Sequence, residues 1–159
     1  MKRKIGDVYR VALSDEKFAY MQHICNDLTQ LSSAVVFVLR TKFEPNEEIK
    51  FEKVADVQTG FFAHVFPKAG EVLKVWEPVS WSQPVLDSNQ VTWSIFNLDD
   101  IKLERTTRWC VWETDKEMRG PVSRKELMNS ELGLVMSPEQ IISRIETGQY
   151  KTNYPAKVY

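Results

Sequence analysis

The chain reads as an α+β fold, predominantly β: a strongly twisted antiparallel sheet or partly open barrel with two C-terminal helices packed on it. Three observations predict this. Short runs of β-branched and aromatic residues recur from residue 6 to residue 113, bounded by Gly, Pro, Ser and Asp. One of them, Ala34-Val35-Val36-Phe37-Val38-Leu39, is apolar at every position, as a strand covered on both faces must be. From Ser123 onward the pattern changes to amphipathic helices that carry their own start signals.

Residues 6–13 follow a glycine and end at the turn-forming Ser14, Asp15 and Glu16, which reads as a first strand. Residues 17–25 read as its hairpin partner. Phe18, Met21, Cys25 and Leu28 also fall at helical spacing, so a helix over 18–28 is the competing reading. Residues 26–33 are polar and connect to the apolar strand at 34–41. Residues 44–58 are rich in charge, with Phe51, Val54 and Val57 at helical spacing, which predicts a short helix or a covering loop. Strand character resumes at 61–66 between Gly60 and Pro67, then at 72–76, 91–96 and 108–113, while Pro78 and Pro84 break 77–89 into a loop.

Ser123 and Glu126 have the spacing of a capping box, and Val122 can staple against Leu127, so a short helix starts there. Ser137-Pro138-Glu139-Gln140 repeats the device with proline at the first helical position. Met136 and Ile141 stand at staple positions, Ile142 and Ile145 continue the apolar stripe, and Gly148 stops the helix.

A length of 159 residues suits one domain, 1–159, with a core that needs no disulfide or metal. The formal charge of -1, from 21 basic and 22 acidic residues, gives no field to draw nucleic acid or anionic lipid. No apolar run approaches the roughly 20 residues that span a bilayer. The basic start at residues 1–4 is followed by Ile5, Gly6 and Asp7 rather than an apolar core. The expectation is a cytoplasmic protein in which Cys25 and Cys110 are reduced, buried side chains.

Enzymatic chemistry has little to stand on. A reactive cysteine needs an imidazole, a cation or a helix N-terminus to become a thiolate, and His23 and His64 are the only imidazoles. His23 lies two residues from Cys25, which on a regular strand puts both on one face. Cys25, Cys110, His23 and His64 show no zinc-ligand spacing, and Asp99-Asp100 reads as a turn after a strand. No phosphate-binding glycine loop and no GxSxG elbow is present. No cofactor, metal or catalytic residue is expected.

Trp76, Trp81, Trp93, Trp109 and Trp112 cluster in one part of the chain, with Glu77, Asp99, Asp100, Glu104, Glu113 and Asp115 close by. That disfavours a base-stacking platform. Core filling between the sheet and the C-terminal helices is the simpler role, with an exposed binding cluster as the alternative. In TRWCVWETD, residues 107–115, Trp109 and Val111 face one side and Cys110 and Trp112 the other, the pattern of an internal strand.

The opening KIGDVYRVAL, residues 4–13, followed by DEKFAYMQ, residues 15–22, resembles the GD(V/I)-x-x-(I/V)-P-L and (Y/F)-A-Y-G-(Q/R) start of the immunity-26 family of bacterial polymorphic toxin systems. Ala12 stands where that family often has proline and Met21 where it often has glycine. The downstream order is also similar: an apolar strand at 61–66, a Trp-containing segment at 72–81 and a terminal helix at 137–150. The resemblance implies an immunity protein that neutralises a cognate bacterial toxin by stoichiometric binding, without catalysis.

Two other classes stay open: a small hydrolase using Cys25 with His23 or the Asp99/Asp100 region, and a structural or regulatory β-domain that binds some other protein. If the partner is a basic toxin, the densest acidic stretch, Asp99, Asp100, Glu104, Glu113, Asp115 and Glu117, is the candidate binding rim. A solvated face is the alternative for the same residues.

Overall fold

β1 (Asp7–Ala12) and β2 (Phe18–Asp27) form the expected N-terminal hairpin, with Val8 opposite Gln22 and Ala12 opposite Phe18. The computed structural model describes residues 3–87 and 91–158. β2 is a strand because its apolar side chains alternate between two cores: Ala19 and Met21 enter one, Tyr20 and Ile24 the other. β3 (Ser33–Leu39) is buried at every position, and β4 (Gly60–Val65) pairs beside it with His64 opposite Val35. Between them α1 (Phe51–Val54) sets Phe51 edge-on to Phe37 at 6.5 Å.

Two expectations are corrected here. Residues 72–76 are not a strand: α2 (Pro67–Val72) begins at Pro67, which serves as the first helical residue rather than a strand terminator. The chain then extends as β5 (Trp76–Trp81), inside the stretch expected to be loop. β5 is an edge strand against β1, so its outer side needs no ladder bonds and Pro78 is tolerated. Residues 88–90 of that stretch lie outside the described residues.

The architecture is α+β and predominantly β, built on an open five-stranded antiparallel sheet in the order β4-β3-β2-β1-β5. A single sheet does not account for the rest. β6 (Thr92–Phe96), β8 (Trp109–Glu113) and β9 (Glu131–Leu132) form a second, three-stranded sheet, and β7 (Arg105–Thr106) pairs in parallel with β10 (Ala156–Lys157).

Both capped helices form. α3 (Arg124–Met128) has the complete Ser123/Glu126 capping box, and α4 (Pro138–Thr147) starts at Ser137 and ends at Gly148, whose φ of 84° is the left-handed conformation that glycine accepts without strain. α4 sets Ile141 and Ile145 against Val11, Val36 and Trp76, covering one face of the large sheet. α3 instead packs Leu127 with Phe96 and Trp109 on the smaller sheet. The opposite face of the large sheet is covered by Trp93 and Trp112 of the second sheet and by Val91 just before it. Trp93 and Trp112 therefore fill the space between two sheets, not between sheet and helices, and Trp81 is half exposed.

Candidate functional site

The segment around Trp109 and Trp112 borders the largest apolar concavity described on the molecule. Its strand is an edge rather than an internal strand: β8 pairs with β6 on one side, and on the other Val111 exchanges backbone hydrogen bonds with Arg119 at 3.0 and 2.8 Å. That single bridge caps the open ladder where an extra strand would otherwise add. Both faces are nonetheless covered, because Val111 and Trp112 are fully buried and Trp109 nearly so.

Beside this strand lies a groove of about 640 Å³, within the size range of small-molecule and peptide sites. Trp109, Cys110 and Trp112 line it from β8, Ile95 and Phe96 from β6, and Gly133 and Leu134 from the chain beyond β9. Leu98 and Met118 stand at its margin, 65% and 39% exposed. Gly133 lets the Trp112 ring reach the groove: a Cβ there would lie 2.0 Å from Trp112 Cη2. The loop after β8 is fixed by Asp115, whose Oδ1 accepts from Leu28 N at 3.1 Å and Thr29 Oγ1 at 2.8 Å. Gln30 Nε2 donates to Lys116 O at 3.1 Å in the same contact.

Beneath the groove floor is a buried polar network. Asp27 Oδ2 accepts from Trp112 Nε1 at 2.9 Å and from His64 Nε2 at 3.0 Å, while Asp27 Oδ1 accepts from Gln30 N at 3.3 Å. Asp27, His64, Trp93 and Trp112 are all fully buried, and the His64 ring centroid is 3.9 Å from that of Trp93. Since a carboxylate only accepts, Nε2 of His64 carries the proton and Nδ1 is a bare acceptor without a partner. Burial pushes the Asp27 carboxyl up, but the hydrogen bonds from Trp112, His64 and Gln30 outweigh it and hold it below the usual carboxylate range. For His64 burial wins over the neighbouring carboxylate and holds the imidazole below its ordinary value.

Asp27, His64 and Ser33 are the residue types of a hydrolase triad, and Ser33 Oγ is also unpartnered and buried. No bond joins Ser33 to His64 among the hydrogen bonds described, and Trp112 stands between the network and the groove. Substrate reach, the first requirement of a catalytic group, is lacking. The other hydrolase candidate is pulled apart by the backbone. A register shift between His23 and Cys25 puts His23 opposite Val36 and Cys25 opposite Val35, so the two do not share a face. His23 Nε2 is engaged with Asn26 Oδ1 at 2.8 Å. Cys25 and Cys110 are not bridged to one another.

The six acidic candidates occupy different settings. Asp99, Glu104, Asp115 and Glu117 are exposed, Glu113 is half-buried, and Asp100 is turned inward. Asp100 accepts from Thr106 Oγ1 at 2.6 Å and from Arg108 Nε at 2.8 Å, and Arg108 followed by Thr106 holds its carboxyl below the usual range. Glu113 pairs with Arg119 at 3.3 Å. Asp99 follows the groove residue Leu98 and Glu117 precedes Met118, so these two sit at the groove margin with no ion pair described. Lys102, Arg105, Arg108, Lys116 and Arg119 are interleaved with the acids, so the stretch is a mixed surface rather than a concentrated negative field.

Sequence reasoning missed Asp27 and His64. The only local signal was an imidazole in the otherwise apolar 61–66 strand, a position where a polar ring must find a partner. Among the described residues, no group of three His, Cys, Asp or Glu side chains converges as metal ligands would. Among the same described residues, no helix is long and apolar enough to cross a membrane. Comparison with family models, with curated proteins and with solved structures returned no match.

Proposed function

We propose that this chain is a cytoplasmic bacterial immunity protein that neutralises a cognate protein toxin by binding it stoichiometrically. The observation that carries the reading is the apolar groove along Trp109, Cys110 and Trp112, with Leu98 and Met118 exposed at its margin. Aromatic side chains at the floor of a groove and large apolar residues on its lip are the composition of a protein-binding hot spot. The N-terminal resemblance to immunity-26 proteins falls on β1 and β2, the hairpin whose far end, through Leu28 and Gln30, braces the groove.

Binding is enough for this function. The toxin presents an apolar anchor to the groove, Asp99 and Glu117 next to the lip residues Leu98 and Met118 meet basic groups of the partner, and Arg108 in the groove lining meets an acidic one. The test is co-expression with the product of an adjacent toxin-like gene, comparing the native chain with a Leu98→Asp, Met118→Asp double variant. Both side chains are already exposed, so the variant keeps the fold and loses protection. Val72→Asp, at an exposed site on α2 outside the groove, keeps protection. Protection by the double variant equal to the native chain removes the groove from the reading, and toxicity undiminished by the native chain removes the immunity function.

A further inference from the structure

The Asp27–His64–Trp112 network joins the two sheets with polar groups in the middle of an otherwise apolar interface. Asp27 belongs to β2 and His64 to β4 of the large sheet, Trp112 to β8 of the small one. Trp93 of β6 lies against the imidazole, and the chain after β9 is tied to the same point by Met136 N donating to His64 O at 2.8 Å. Among the described residues, Asp27 is the charged group that acts on His64, and the Cys25 thiol of β2 stands one strand further along the same row, opposite Val35. We propose that this network is a proton-operated latch: uptake of a proton by His64 parts the two sheets at Trp112 and reshapes the floor of the groove.

The argument is one of unmet valence in a closed space. In the neutral ring Nε2–H donates to Asp27, and Nδ1 needs only to accept. Protonation turns Nδ1 into a donor where it has no partner, and places a cation in a site without exposure to water. Two features favour the cation, the Asp27 carboxylate and the electron-rich Trp93 ring, whose centroid is 3.9 Å from that of the imidazole. Desolvation opposes it and is the larger effect, in agreement with the direction in which the imidazole is held. The proton is therefore taken up by the open form, in which the ring meets water.

The direction with pH follows from the sign. His64 in the closed form is held below the ordinary value of 6.5, so closure is at full strength above pH 6.5 and weakens as pH falls below it. With one proton taken up, the population of the open form rises about tenfold per pH unit in that window. Asp27 is likewise held below 3.8, so its contribution is lost at still lower pH, in a separate step.

The latch stands independently of toxin binding and is tested on the chain alone. The chain has only two histidines, His23 and His64, so their ring resonances can be followed individually through a pH titration by NMR, together with the Trp112 indole N–H. The expected result is that the Trp112 indole loses protection from solvent exchange between pH 6.5 and 5 as the closed His64 resonance gives way to a protonated, open one. His64→Gln, which can still donate to Asp27 and cannot titrate, removes that transition, and His23→Gln leaves it in place. The latch is overturned if His64 titrates near 6.5 while the Trp112 indole stays protected, or if His64→Gln retains the transition. Should His64→Gln fail to fold, the native titration decides alone.

Discussion

Trp112 Nε1 donates to Asp27 Oδ2 at 2.9 Å across a separation of 85 residues, the same indole whose ring lines the groove. One fully buried side chain thus joins the groove floor to the network beneath it, with its polar tip paired. Trp112→Phe keeps most of the ring and removes the donor. The expected loss is about 1.5–3 kcal/mol, the range for a hydrogen bond to an ionised group. Urea unfolding measures it, and stability equal to the native chain would show that Asp27 does not depend on this donor.

Gly133 is a second point of dependence for the same ring. A Cβ there would sit 2.0 Å from Cη2 and 2.6 Å from Cζ2 of Trp112, so Gly133→Ala must push the indole away from its place between the sheets. Overpacking of this kind costs about 1–3 kcal/mol. Near-ultraviolet circular dichroism should change with it, because Trp112 and Trp93 lose their mutual packing. An unaltered spectrum together with an unaltered unfolding midpoint would contradict the contact.

These dependences explain what the sequence did and did not disclose. Strands with apolar side chains on both faces, as in 34–39, and helices with their caps in place, as at Ser123 and Ser137, are local patterns and were legible. α2 was not, because Pro67 after an apolar run has two meanings, strand end or helix start. Gly70 inside the helix is explained only by the ring of Trp76, 2.0 Å from where a Cβ would be. β5 was hidden by Pro78, which its edge position and the register shift opposite Val8 and Tyr9 permit. The Asp27–His64 pair spans 37 residues and leaves no mark of that distance in local composition. The acidic stretch misleads for a related reason: counting carboxylates does not reveal that Asp100 faces Arg108.

Arg144 provides a test of side-chain shape at constant charge. It donates from Nη1 to Glu131 Oε2 at 2.7 Å and from Nη2 to Glu131 Oε1 at 3.2 Å, a two-point bond between α4 and β9. The guanidinium also lies 4.1 Å from the Phe61 ring centroid, and Nη1 reaches Tyr150 Oη at 3.0 Å. Lysine keeps the charge but neither the fork nor the flat face. Arg144→Lys should therefore lower stability by about 1.5–3 kcal/mol, measured by chemical unfolding. In a double-mutant cycle with Glu131→Gln the two losses should not add. Full additivity would show that the two-point bond contributes nothing of its own.

The acidic residues separate into surface and structural groups, and charge variants should sort them. Asp99 and Glu117 stand exposed at the groove margin, so Asp99→Lys and Glu117→Lys should leave the unfolding midpoint unchanged while slowing association with a basic partner. Because that slowing is electrostatic, it should fade as salt is raised. Asp100→Ala should behave in the opposite way: Thr106 and Arg108 lose their shared acceptor, and the 98–108 loop loosens. Amide hydrogen exchange reports this at Arg108, whose N–H donates to Thr106 Oγ1 at 3.0 Å. Faster exchange confined to 98–108 in Asp100→Ala alone is the expected outcome. Equal loosening in Asp99→Lys would mean that the two neighbouring aspartates share one role, contrary to the opposite directions in which their side chains are set.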